Sequence, residues 1–499
     1  MPQNDAKDPK NPVRPTRPKN PASPTNAMSP TNATNPIGSA TATNSGDPSA
    51  AHRYRDLGEA AWSWVLDQVR EDDGPWLPET VSENGAKGSS DTVPAKDRDC
   101  LYAGIAGLAP VLAEIARQRE LTARERSLAA GIVTRLSAAA KDRTEPSLYD
   151  GLAGDATALR LLAPGTESVA LRRLAELAAP GGWRTTLCFE AGSDAPLNDI
   201  IMGTAGVVLT AVWAGGEYAE AIATTGCEAL LRVADRTDAG LDWGIGATTE
   251  SRAPNYSHGT AGVASALAVA GAALGREDFV EAAVLGARHV LSVGRLDDDG
   301  FVVPHTIPPS RREVEPVTYT WCHGPTGTSH LFSALAHAGV AKVSGFCVGE
   351  LRRRCLASVL TSGVPRRLRP GFWDNDGRCC GTAGVGDVLL DAAQDCADFA
   401  DAESGQMYVR AARVMGDALV ERAIRDGAGA RWRFLEHRQE HPLLPPNTSW
   451  MQGAAGIAGY LFRLARFAGT GPEAAVVDRP DQWWAVPERL RVAGGTAVS

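Results

Sequence analysis

The chain has 499 residues, 43% of them hydrophobic, and a formal net charge of −9. That length suits one large domain or two to three smaller ones, and the acidic balance offers no basic face for nucleic acid. No run of 18 uncharged apolar residues occurs, so no membrane span is expected, and nine irregularly spaced cysteines without an apolar leader read as reduced thiols of a cytoplasmic protein.

Residues 1–50 hold ten prolines and seven asparagines but almost no large apolar side chains. Such a segment buries too little surface to offset its ordering entropy, so a disordered tail is expected there, with the folded domain spanning 51–499. Order is expected from about Tyr54. Leu57, Ala60, Ala61, Trp64, Val65 and Val69 recur at helical spacing over Arg55–Arg70. A polar loop, Glu71–Arg98, leads to Leu101-Tyr102-Ala103-Gly104-Ile105-Ala106-Gly107 and an apolar run.

That pattern recurs down the chain. Further copies begin at Leu148, Asp199 and Tyr256, then at Thr320-Trp321-Cys322-His323-Gly324, at Gly377-Arg378-Cys379-Cys380-Gly381 and at Ser449. The first glycine of each Gly-x-x-Gly step falls at 104, 151, 203, 259, 324, 381 and 453, so the spacings are 47, 52, 56, 65, 57 and 72 residues. Self-similarity on this period signals a helical array. The segment after each step, as in Val263–Ala270, is small and apolar nearly all round and predicts a buried helix. Between copies, Arg124–Lys141 and Met407–Arg425 predict amphipathic helices with one apolar stripe. Seven pairs of this kind predict an all-α fold, a closed seven-fold α/α toroid with inner and outer rings. The glycines let neighbouring backbones crowd at its narrow centre.

In such a ring the inner helices start at one end. The residues just before each first glycine then gather around one cavity: Ala103, Asp150, Met202, His258, Cys322, His323, Cys379, Cys380 and Gln452. Asp150 reads as a helix cap. Trp321 and Trp450 read as packing, and Met202 and Gln452 carry no assigned chemistry. Three sulfurs at matching repeat positions can converge on one metal, and three protein ligands leave a fourth position of a zinc tetrahedron open. The other six cysteines, Cys100, Cys188, Cys227, Cys347, Cys355 and Cys396, read as small buried residues. The longest gaps, Arg295–Thr320 and Asp426–Ser449, are expected to border the cavity mouth.

The third to sixth copies resemble the motifs of lanthionine synthetase C-like proteins. They are Asp199-x-x-x-Gly203, His258-Gly259, Trp321-Cys322-His323-Gly324 and Cys379-Cys380-Gly381, over a region from about Tyr54 to about Arg466. Many members have Cys-His-Gly in place of Cys379-Cys380-Gly381, so a three-cysteine subgroup matches best. The resemblance implies a seven-fold α/α barrel with one zinc held by Cys322, Cys379 and Cys380. It also implies Michael-type addition of a peptide cysteine to dehydroalanine or dehydrobutyrine, with His258 and Asp199 as acid/base candidates. His323 follows a ligand and either orients substrate or caps its helix. A tail plus one toroid leaves no room for a dehydratase, so a separate one would supply the dehydrated precursor peptide. Two alternatives share the site: addition of glutathione to dehydroamino acids, which a cationic pocket would favour, and a non-catalytic zinc-stabilised toroid that binds peptide.

Overall fold

The structure is a computed structural model that describes residues 47–82, 98–185, 195–246, 251–298, 300–309, 315–398 and 402–482. The expected disordered tail lies outside the described residues up to residue 46. Its last four residues instead open a helix, with Asp47 as the cap and 48–50 as the first turn. Asp47 accepts a hydrogen bond from the Ala50 amide at 3.1 Å, and Pro48 takes the first helical position, where its missing N–H costs nothing.

Fourteen helices are found among the described residues. In chain order they are α1 (Pro48–Gln68), α2 (Leu108–Ala116), α3 (Ala123–Ala139), α4 (Leu152–Leu162), α5 (Ser168–Leu177), α6 (Thr204–Ala214) and α7 (Ala219–Arg232). There follow α8 (Thr260–Leu274), α9 (Glu277–Val293), α10 (Pro325–His337), α11 (Val348–Thr361), α12 (Thr382–Asp398), α13 (Ala402–Arg422) and α14 (Ala454–Thr470). The even-numbered helices pack side by side, α2 on α4 and onward to α14, which returns to α2. The odd-numbered helices lie outside them, and α1, from the start of the chain, is the outer partner of α14. The fold is the seven-fold α/α toroid expected from the repeats, with small corrections. Among the described residues there are five two-stranded antiparallel hairpins; four, such as Asp235–Arg236 with Leu241–Asp242, link successive units, and Lys342–Val343 with Phe346–Cys347 lies between α10 and α11.

Helix chemistry follows position in the ring. Every side chain of α6 is buried, as the all-round apolar pattern requires. The inner helix α12 departs from this, since its Asp387, Asp391 and Asp395 are buried at a spacing of four residues. On the outer layer, α3 opens with a capping box. The Glu125 amide donates to Thr122 Oγ1, and the Thr122 amide donates back to Glu125 Oε2 at 2.7 Å. The same carboxylate accepts from Trp62 Nε1 of α1 at 2.7 Å and from two nitrogens of Arg119 at 2.8 Å.

Burial opposes ionisation of Glu125, but these donors outweigh it and hold its pKa down to about 2, from an ordinary 4.5. A depressed carboxylate contributes stability that is complete above pH 4.5 and lost as pH falls towards 2. Glu125→Gln is therefore expected to cost about 1–3 kcal/mol at neutral pH and to flatten this limb of the acid-unfolding curve. Urea titrations across pH check both; an unchanged acid limb would dissociate Glu125 from it.

The loops before the inner helices share one construction. In four of the seven, the residue four places before the first glycine accepts a hydrogen bond from the amide three residues on. These are Cys100 to Ala103, Asp199 to Met202, Thr320 to His323 and Ser449 to Gln452. The chain then curls so tightly that a Cβ on Gly259 would stand 1.4 Å from the Ala253 carbonyl oxygen. On Gly327 it would meet the Trp321 carbonyl oxygen at 1.8 Å and Tyr256 Cβ of the neighbouring unit at 2.8 Å. The crowding is thus first with the loop's own backbone and second with the neighbour, whereas the sequence had suggested only the neighbour.

These loops are stitched into a circle. Tyr102 N–H donates to the Tyr149 carbonyl, Tyr149 to Ile201, Ile200 to Ser257, Ser257 to Cys322, Cys322 to Cys379, Cys379 to Met451, and Met451 back to Tyr102, all at 2.8–3.2 Å. Buried backbone polar groups need partners, and here each unit satisfies the next. The belt sets the height of every pre-helix residue on the rim.

Candidate metal centre

The belt brings Cys322, in the turn before α10, beside Cys379 and Cys380, in the turn before α12. The Sγ atoms of Cys322 and Cys380 are 3.2 Å apart, those of Cys380 and Cys379 3.5 Å, and all three sulfurs lie within 4.8 Å of one another. Sulfurs around a tetrahedral zinc stand about 3.8 Å apart for bonds of about 2.3 Å, so this donor set fits a zinc-sized ion with shifts of a few tenths of an ångström. Cys322 and Cys379 are buried and Cys380 is half-buried on the cavity side.

Burial works against ionising Cys322. Hydrogen bonds from the Cys379 and Cys380 thiols, from Thr320 Oγ1 at 3.3 Å and from the His323 amide outweigh it and hold the Cys322 thiol well below its usual range. The Cys380 thiol, donating to Cys322, is pushed up to about 12, and that of Cys379 also rises well above its ordinary value. A cation placed among the three sulfurs would favour the ionised form of each.

His258, before α8, and Asp199, before α6, form a second group. His258 Nδ1 lies 2.6 Å from Asp199 Oδ2. Asp199 is fully buried while His258 keeps 23% of its side chain exposed to the cavity. The other carboxylate oxygen accepts from the Met202 amide at 3.1 Å. With Nδ1–H given to Asp199, Nε2 is the ring nitrogen left for chemistry. His323 lies between two imidazoles, its ring centroid 5.5 Å from that of His258 and 4.0 Å from that of His305. Burial, then the neighbouring His258, lowers its pKa to about 3.

Both groups face one cavity of about 290 Å³. Of the predicted rim residues, His258, Cys322, His323, Cys379, Cys380 and Gln452 line it, and Asp199 stands directly behind His258. Ala103, Asp150 and Met202 do not line it. Nor does Asp150 cap α4, whose N-cap is Gly151 with no side-chain bond. Trp321 and Trp450 are buried packing residues, Trp321 edge-on to Tyr149 and Tyr256, and Trp450 under the Arg378 guanidinium at 4.2 Å. The two long gaps border the mouth as expected, through His305, Glu315, Thr318, Glu436 and Arg438.

Several cavity residues escaped the sequence reading. Tyr102 accepts from Gln452 Nε2 at 2.8 Å, and burial followed by the charge of Cys379 raises its pKa well above the phenol value. It stands two residues before a repeat glycine, so the repeat alignment could have flagged it. Arg438 and Glu436, joined by a bond of 2.6 Å, sit in a loop whose placement was foreseen but whose contributing residues were not.

Among the remaining cysteines, Cys100, Cys227 and Cys355 are buried, and burial pushes their thiols up, that of Cys100 to about 12. Cys347 is exposed, not buried, because it opens α11 on the outer layer. The side chains of Cys188 and Cys396 lie outside the described residues.

A closed double ring of helices, with a three-sulfur cluster and a carboxylate-held imidazole on one rim, defines an α/α toroid with a candidate thiolate metal centre. The chain belongs to the lanthionine synthetase C-like protein family, whose pattern matches residues 96–468. A solved structure named nisin cyclase is similar at 16% identity and a TM-score of 0.49, covering 75% of this chain and 89% of that one. No curated protein matches. Among the described residues no helix is long and apolar enough to cross a membrane.

Proposed function

We propose that this protein is a zinc-dependent thioether cyclase, acting in the cytoplasm, that adds peptide cysteine thiols to dehydroalanine or dehydrobutyrine to form lanthionine or methyllanthionine. The observation that carries the reading is the convergence of three sulfurs and the His258–Asp199 pair on one cavity. Cys322, Cys379 and Cys380 would hold one zinc per chain, and the ion, when bound, supplies the positive charge that keeps a substrate thiol deprotonated near neutral pH. The sulfur attacks the β-carbon and forms the C–S bond, while the alkene electrons pass to an enolate. His258 Nε2 delivers the proton that Cα then needs. The thiol loses one proton and Cα gains one, so no oxidant or reductant enters. Asp199 fixes the imidazole tautomer and stabilises its charged form. His323 shapes the wall beside His258 and orients the substrate. A separate dehydratase would supply the dehydrated precursor peptide.

The glutathione reading needs cations for two carboxylates. Among the described residues lining the cavity, Arg438 is the one Lys or Arg, and Glu436 already pairs it, while Glu315 and Asp374 add acid. This charge pattern favours a peptide substrate. The test incubates the zinc-loaded protein with a dehydrated, cysteine-containing precursor and follows alkylatable thiols by mass spectrometry. Loss of thiols at constant peptide mass is expected. A mass gain of one glutathione from a parallel mixture would favour the second reading, and unchanged thiols in both would leave a peptide-binding toroid.

A further inference from the structure

Beyond residue 468, where the family pattern ends, the chain turns back into the ring. Val477, Arg479, Asp481 and Gln482 are all buried there. We propose that the segment Ala474–Gln482 is the floor of the metal centre, and that Arg479 and Asp481 are positioning residues for the Cys379–Cys380 loop. This rests on the reading that the three sulfurs hold zinc.

Four contacts carry the inference. First, Arg378 immediately precedes Cys379, and its guanidinium is clamped between the Trp450 ring at 4.2 Å and Asp387 Oδ2 at 2.8 Å. Second, Arg479 Nη2 donates to that same oxygen at 2.9 Å, and its guanidinium lies 5.6 Å from the same Trp450 ring. Third, Arg479 Nε donates to Asp481 Oδ1 at 3.3 Å. Fourth, Asp481 accepts from Tyr149 Oη at 3.4 Å through its carboxylate and from Tyr256 Oη at 3.3 Å through its carbonyl. Tyr149 and Tyr256 belong to the second and fourth repeats and the cysteine loop to the sixth, so the segment braces the sulfur loop against other units across the bore. Arg463 Nη1 on Asp387 Oδ1 at 2.7 Å completes a cluster in which one buried carboxylate serves three guanidiniums. Buried charges in such a cluster depend on every partner. Removing Arg479 or neutralising Asp481 therefore unbalances the charge cluster that fixes Asp387 and Trp450, and shifts Arg378 together with the backbone that carries two of the three sulfurs.

The experiment uses the full chain loaded with zinc and follows metal transfer to a chromogenic chelator, with the cobalt-thiolate absorption of the cobalt-substituted protein as a second readout. Partners of ligands typically tune affinity by 10–100-fold. Arg479→Gln and Asp481→Asn are thus each expected to speed zinc release by about 10-fold or more and to shift the cobalt bands, with Arg479→Lys recovering part of the loss. Glu125→Gln, destabilised at the outer layer, should release zinc at the wild-type rate, which separates positioning from general loosening. Wild-type release and unshifted bands in both Arg479→Gln and Asp481→Asn would overturn the inference. Should Arg479→Gln fail to fold, the isosteric Asp481→Asn decides on the same readouts. A wild-type protein that takes up neither zinc nor cobalt would instead overturn the metal reading itself.

Discussion

Replacing Cys322 by alanine is expected to lower kcat/KM for ring closure by about 10²–10³-fold or more, and to reduce zinc from one per chain to a small fraction. Cys322 lies between the Thr320 hydroxyl and the Cys380 sulfur, so its loss leaves two of the three clustered sulfurs, too few to hold the ion in a tetrahedral site with one open position. Cys379→Ala and Cys380→Ala are expected to lose the metal similarly. The helical circular dichroism of all three should match the wild type, because the stability is spread over fourteen packed helices and the belt bonds of Cys322 and Cys379 are made by their backbones. Full zinc content in any one variant would remove that residue from the ligand set. Loss of helical signal on chelation would make the ion structural.

His258→Asn is expected to keep zinc and peptide binding but slow cyclisation by about 10²-fold or more. It should also give both configurations at Cα, since water reaches either face of the enolate once the imidazole is gone. The geometry sharpens the companion experiment on Asp199. Its carboxylate receives Nδ1–H at 2.6 Å, whereas an asparagine amide turned to donate there would leave the proton on Nε2, the wrong tautomer for a ring that must first take up a proton. Asp199→Asn should therefore lose kcat with KM little changed, as steady-state kinetics on the dehydrated precursor would show. A single Cα configuration at wild-type rate in His258→Asn would assign the proton to another donor.

Much of this architecture was legible because its causes are local and repeated. The loop geometry forbids a Cβ at Gly259 and Gly327, so each unit announced itself by the same glycine step, and the residues before that step could be placed on one rim without coordinates. Cys322, Cys379, Cys380 and His258 came together for that reason, whereas Asp199, four residues ahead of its glycine, was named through the family resemblance. What stayed hidden depends on contacts between distant segments. Nothing in the local pattern around Arg479 or Asp481 says that they enter the bore. The signal that pointed there was on α12, where Asp387 and Asp391 interrupt an apolar stripe and require more buried cations than Arg378, the one nearby in sequence, can supply. The start of α1 was missed because Asp47 and Pro48 sit within a proline-rich composition. There the capping chemistry of two residues outweighs the average of fifty.

The circular belt also imposes an order on the protein's birth. A ribosome makes α1 first and its partner α14 nearly four hundred residues later, which at about 5–20 residues per second leaves the apolar face of α1 waiting for roughly 20–80 s. During that interval Tyr54, Leu57, Ala61 and Val65, all buried in the folded ring, lack the α14 side chains that pack on their helix. The Cys379 amide finds its acceptor, the Met451 carbonyl, only when the seventh repeat emerges. The turn that carries Cys379 and Cys380 is therefore completed only once the seventh repeat has left the ribosome.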